Sequence, residues 1–177
     1  MKKSKGKRYL SFIILILTVA LTGCSLSPDF DTYEGHSLRI AVVGEPPAVK
    51  ELQVIFTEVS SDEMTSEELK SYDAVFIRED NLSEASESQY ADVYLNSKIP
   101  FFFIGTDNYI PFTEKDLKYD KTSNWTAGNS YSVGVLTSQE EDTLKKWEYG
   151  LYNDKKTDEH IEEMYSRIFK TISLLNQ

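Results

Sequence analysis

The sequence holds one cysteine, two histidines and no apolar run of spanning length. It is therefore poor in the residues that build covalent, zinc-based or transmembrane structure. Cys24 stands alone and cannot pair within the chain. His36 and His160, with that single thiol, supply too few nitrogen and sulfur ligands for a zinc site, and both are expected to be exposed. The apolar stretch from Tyr9 to Leu21 is shorter than the roughly 18 residues that a membrane-crossing helix needs. Positive charge is scarce as well. The chain has 19 Lys and Arg against 29 Asp and Glu, a net charge of -10. Nucleic acid is not an expected partner, because its recognition requires a basic face.

Phosphate-binding and nucleophile motifs are also missing. The first apolar strand segment ends in Gly44-Glu45-Pro46-Pro47, without the glycines of a dinucleotide fingerprint and with two prolines that lack donor amides. There is no Walker lysine loop and no Gly-x-Ser-x-Gly elbow. No cofactor is implied. Glu45 and Thr106 fit the acid and hydroxyl of a receiver domain, but the third strand segment ends in Arg78 and the fifth in Thr137, which breaks that pattern.

The amino-terminal end is richer in signal. Lys2, Lys3, Lys5, Lys7 and Arg8 precede the apolar run, and Leu21-Thr22-Gly23-Cys24 closes it. A charged start, an apolar core and a small-residue end make a secretory signal. The closing residues resemble the lipobox of bacterial membrane lipoproteins. That resemblance implies a diacylglyceryl group on the Cys24 thiol, cleavage after Gly23 by lipoprotein-processing enzymes, and Cys24 as the mature amino terminus. It places the protein at the cell membrane, lipid-anchored on the extracytoplasmic face. Two or more acyl chains hold a protein stably at about 0.8 kcal/mol per buried methylene. Removing residues 1–23 takes away five positive charges and no acid, which moves the net charge from -10 to -15. The expected organisation is a signal at 1–23, the lipidated cysteine and a flexible tether at 24–37, and one globular domain at 38–177.

Within that domain, short apolar runs alternate with helical patterns. Leu38–Gly44, Val54–Val59, Asp73–Ile77 and Ile99–Gly105 read as strands, the first and last of them apolar on both faces. Tyr131–Leu136 alternates and reads as an edge strand. Helices are expected after Pro46-Pro47, carrying Val49 and Leu52, and after the capping spacing at Thr65–Glu68. Further helices are expected from Ser83 to Asn96, briefly near Thr113–Lys118, and from Ser138, where Leu144, Trp147 and Leu151 share a helical face. A last helix is expected over Asp158–Leu175, with Ile161, Met164, Ile168, Ile172 and Leu175 on one stripe. The pattern predicts an α/β domain of three layers, with a mainly parallel sheet of about five strands flanked by helices. Such a domain resembles flavodoxin-like and Rossmann-like folds.

In such sheets ligands bind beyond the carboxyl ends of the strands. Those ends present Glu45, Arg78, Glu79, Asp107 and Asn108, and the aromatic segment that follows adds Trp125. These six are the candidate ligand-binding residues, for a small ligand or an envelope protein. With no catalytic signature, the frame reads as a binding module. The alternative is a hydrolase or envelope enzyme that works with carboxylates alone, from Glu45, Glu79, Asp80 and Asp107. Cys24→Ser is expected to release the protein from the membrane fraction or to leave its signal uncleaved. Fractionation with palmitate labelling checks this, and normal processing and labelling of the variant would refute the assignment.

Overall fold

The structure, a computed structural model, describes residues 29–65, 67–120, 125–138 and 142–176. Gly23, Cys24 and the rest of the expected signal lie outside the described residues. Asp31–Gln177 form one unit.

Six strands make a single sheet in the order β2-β1-β3-β4-β5-β6. They are β1 (Leu38–Val43), β2 (Val54–Glu58), β3 (Ala74–Ile77), β4 (Phe101–Ile104), β5 (Ser130–Ser138) and β6 (Thr143–Gly150). β1 runs parallel to both β2 and β3, and β3 parallel to β4. β5 and β6 are antiparallel to their neighbours. The expected mainly parallel, flavodoxin-like sheet of about five strands is thereby overturned: the sheet is mixed, and its β4-β5-β6 half is antiparallel. β5 is also no edge strand, because it lies between β4 and β6.

The error has a physical source in residues 143–151. Leu144 and Trp147 are three apart and so share one side of a helix. In the observed strand they face opposite ways. Leu144 packs against the core on one face of the sheet, and Trp147 against the core on the other. Asp142 has φ 49, and its N–H reaches the Ser138 carbonyl at 3.0 Å, which closes a hairpin. Thr143, Trp147 and Tyr149 favour a pleated, half-buried surface. Cross-strand pairing from Thr143 to Gly150 engages the backbones of β5 and β6 with each other. Ser138, expected to cap a helix, is instead the last residue of β5.

Two other expected helices also differ from the observed structure. The stretch after Pro46-Pro47 has no helix, and Leu52 is 96% exposed. The long helix expected from Ser83 divides into α1 (Leu82–Ala85) and α2 (Ser88–Asn96). A short α3 (Ile110–Thr113) lies just before the place expected. The final helix, α4 (Asp158–Leu175), covers the expected span. Met164, Ile168 and Ile172 are buried as expected, and Tyr165 and Phe169 widen the stripe. Asp158 and Glu159 in its first turn complement the helix dipole. His160 is 4% exposed, against expectation, because its turn rests on the core.

Each face of the sheet carries its own core. α4 packs over Ile40, Val42, Phe76 and Phe102, while α1, α2 and Phe112 cover Val43, Ile77, Phe101 and Phe103. On the α4 side Phe76 meets Phe102 edge-on at 5.6 Å and stacks with Tyr165 at 5.6 Å. Such aromatic pairs add about 0.5–1.5 kcal/mol beyond their area burial. On the same side Tyr33 is 3% exposed and meets Phe169 edge-on at 6.0 Å. Its N–H donates to the buried carboxylate of Glu51 at 3.1 Å, and Ser166 of α4 donates to the same oxygen.

Gly134 of β5 lies opposite Phe102 of β4. A Cβ there would come within 2.5 Å of the Phe102 ring. Gly134→Ala is expected to overpack this spot and cost about 1–3 kcal/mol of stability. Urea denaturation measures it, and an unchanged midpoint would contradict the packing.

Candidate functional site

Chain direction gathers the site. β1, β3 and β4 finish at one end of the sheet, and antiparallel β5 starts there, with Ile104 paired to Ser132. β6 ends there too, since Gly150 pairs with Ser130. The 105–129 connection therefore leaves and returns at the same end as the three strand termini, and the 151–157 connection starts there.

Two glycines open this end. Gly44 follows β1 with φ 103, and Gly105 follows β4 with φ 95. Only glycine adopts such angles without strain. A Cβ on Gly44 would fall 2.4 Å from Asn81 Nδ2 and 3.0 Å from Arg78 Cβ. One on Gly105 would fall 2.7 Å from Glu79 Cγ. The Arg78-Glu79 step beyond β3 thus lies between two bare backbones. Arg78 N–H donates to the Val43 carbonyl at 3.1 Å, which ties the step to β1.

The third feature is a β-bulge. Ser130 pairs with Gly150 and Ser132 with Tyr149, so β5 advances two residues where β6 advances one. Tyr131 is the residue between. Val133 and Val135 face the α2 side, yet the Tyr131 ring joins the α4 side. Bulges re-aim side chains in this way beside functional sites. The Tyr131 hydroxyl approaches Glu79 Oε2 at 3.4 Å. Lys156 Nζ lies 3.5 Å from the same oxygen and 4.9 Å from the centre of the Tyr131 ring. Trp125 meets that ring edge-on at 6.0 Å. Beneath them Arg78 Nη1 donates to the hydroxyl of Tyr165, which is fully buried.

Burial and charge set the phenols apart. Burial first, then the Glu79 charge, pushes the Tyr131 hydroxyl up to about 12, with Arg78 opposing. Burial likewise pushes Tyr165 up to about 12, again opposed by Arg78. Tyr119 is raised by burial and by Glu79, Asp107 and Asp120, while Lys156 lowers it. The rim around Lys156 is therefore acidic.

Of the six sequence-predicted residues, Arg78, Glu79 and Trp125 come together around Tyr131. Asp107 belongs to the rim through its field on Tyr119. Asn108 is taken up locally: its N–H donates to Thr106 Oγ1 at 3.1 Å, and its Oδ1 accepts from Ile110 N–H at 3.0 Å. That is the work of a turn residue. Glu45 is exposed beyond Gly44. Lys156 and Tyr165 were missed as site residues. The periodicity of Asp158–Leu175 marks where α4 starts but not where the loop before it points, and a bulge leaves no trace in composition.

No family model, curated protein or solved structure matches this chain. Among the described residues no group of three His, Cys, Asp or Glu is placed to hold a metal ion, and no helix is long and apolar enough to cross a membrane. A groove of about 220 Å³ lies at the opposite end of the sheet, lined by Leu69, Lys70, Val93, Lys98 and Ile99 among others. It contains none of the predicted site residues.

Buried phenols give the site a pH signature. Their folded pKa values lie above the ordinary value near 10, so the folded state keeps protons that the unfolded state has lost. The stability they contribute is whole below pH 10 and is lost as pH rises from about 10 to about 12. Absorbance at 295 nm is expected to show late-titrating tyrosines in this window, and Tyr131→Phe to remove one of them. An unaltered late phase in that variant would contradict the burial assigned to Tyr131.

Proposed function

We propose that this chain is a bacterial membrane lipoprotein whose folded unit is a non-enzymatic binding module. Cys24 carries the lipid, and the unit stands on the extracytoplasmic face of the cell membrane. It binds an envelope protein or a small ligand at the strand-end site of Arg78, Glu79, Trp125, Tyr131 and Lys156. The anchor rests on Leu21–Cys24 and the charged apolar segment before it.

The observation that carries the binding reading is the convergence of three strand termini, the bulged Tyr131 and the Lys156 loop on one acidic, aromatic rim. Open sheets place ligands at such ends. The carboxylate-hydrolase alternative loses support from the same geometry. Glu45, Glu79, Asp80 and Asp107 are all exposed. Glu79, the one that meets other site side chains, faces an ammonium and a phenol rather than a second carboxyl. Paired acid–base chemistry needs two carboxyls held in different environments.

A photo-crosslinking residue in place of Thr126, beside Trp125, is expected to capture a partner in intact membranes. The same residue in place of Leu174, at the far end of α4, serves as the control. Equal capture at both positions, or none at Thr126, would remove the support for this site.

A further inference from the structure

We propose that the strand-end site recognises a primary ammonium group, and that Lys156 occupies the ammonium position when no ligand is bound. The inference rests on the reading of this end as the binding site. The geometry is that of a cation cradle. The Lys156 nitrogen lies 4.9 Å from the Tyr131 ring centre and 3.5 Å from Glu79 Oε2, and Trp125 meets the same ring edge-on at 6.0 Å. An aromatic face attracts a cation through its quadrupole, and a carboxylate beside it accepts the N–H.

Other ligand chemistries fit less well. An anion would look to Arg78, but that guanidinium is turned back to the buried Tyr165 hydroxyl. An anion would also meet Glu79, Asp107 and Asp120, whose charges all act on Tyr119 at the same rim. A divalent ion prefers about six or more oxygen ligands, and here one carboxylate meets the cation position together with a ring. A net charge of -10 favours the approach of cations from solution.

Lys156 is suited to be displaced. It projects from the connection between β6 and α4, and its side chain keeps 41% of its exposure. Asn153 and Asp154, both at positive φ, shape that connection. An exposed ion pair and an exposed cation–π contact hold a side chain weakly. An incoming ammonium has the same partners available once Lys156 swings into water. The internal lysine therefore competes with the ligand, and removing it raises affinity.

The test uses the full chain in detergent, titrated with n-butylammonium and followed by the indole N–H shift of Trp125, with Trp147 as internal reference. Butanol is the neutral control. Lys156→Ala is expected to bind n-butylammonium about fivefold more tightly than the unaltered chain. Adding Glu79→Gln to Lys156→Ala is expected to abolish that gain. Nα-acetyl-lysine amide and phosphoethanolamine separate the sources of the group: the rim acids favour the first and repel the phosphate of the second. A response to butanol equal to that to n-butylammonium, or a Lys156→Ala chain that binds no more tightly, would overturn the proposal. In that event, continued crosslinking from position 126 in membranes would leave the binding-module reading standing and reject only the ammonium class.

Discussion

The antiparallel pairing of β4 with β5 is the constraint on which the rest of this molecule depends. Phe101–Ile104 are buried on both faces, so β4 needs a neighbour on each side. β3 supplies one in parallel. The other comes from a chain that has turned round, pairing Phe101 with Val135 and Ile104 with Ser132. The pairing works because Gly134 leaves the Phe102 ring the space that a side chain would fill. Once β5 runs backwards, β6 must end where β5 began, and α4 must start there. Tyr131 and Lys156 are brought to the strand termini by that reversal. A fifth parallel strand would have carried them to the other end of the sheet.

Much of this was open to reading in the residues themselves. Strands such as Leu38–Val43 and Phe101–Ile104 are apolar on both faces and bounded by glycine, a combination that few other structures accommodate. The stripe on Asp158–Leu175 is long enough to average out local accidents. Residues 143–151 are different, because Leu144 and Trp147 satisfy a helical spacing while also falling on opposite faces of a strand. Only the partner strand decides between them, and pairing is a non-local property. The same holds for the site. Arg78 and Glu79 follow a strand and could be placed from that alone. Tyr131 depends on a register shift against β6, and Lys156 on the path of a loop whose positive-φ residues are Asn153 and Asp154.

The charges at the site divide by depth. Arg78 points down to the Tyr165 hydroxyl, where its field opposes the rise that burial imposes on both Tyr131 and Tyr165. Lys156 and the acids stand above, in contact with water. A guanidinium that is half-buried, with a fully buried phenol to receive it, keeps the β3 terminus close to α4. It acts in the support of the site more than in its mouth. The mouth is then set by Glu79, Tyr131 and Trp125, whose combination of one carboxylate and two rings attracts a cation and accepts its N–H.

The opposite end of the sheet is engaged differently. There Gln53 Nε2 donates to the Tyr33 carbonyl at 2.6 Å, and Ser37 Oγ to the Gln53 carbonyl at 2.8 Å, so the polypeptide enters the unit along the start of β1 and β2. Tyr33 anchors that entry through its ring and its bond to Glu51. The entry and the strand-end rim are thus separated by the length of the strands. Among the described residues, the segment around Tyr33 and Ser37 meets the unit at the end of the sheet opposite the rim. The rim's occupant in the free protein is then its own Lys156, which is the group that a ligand must replace.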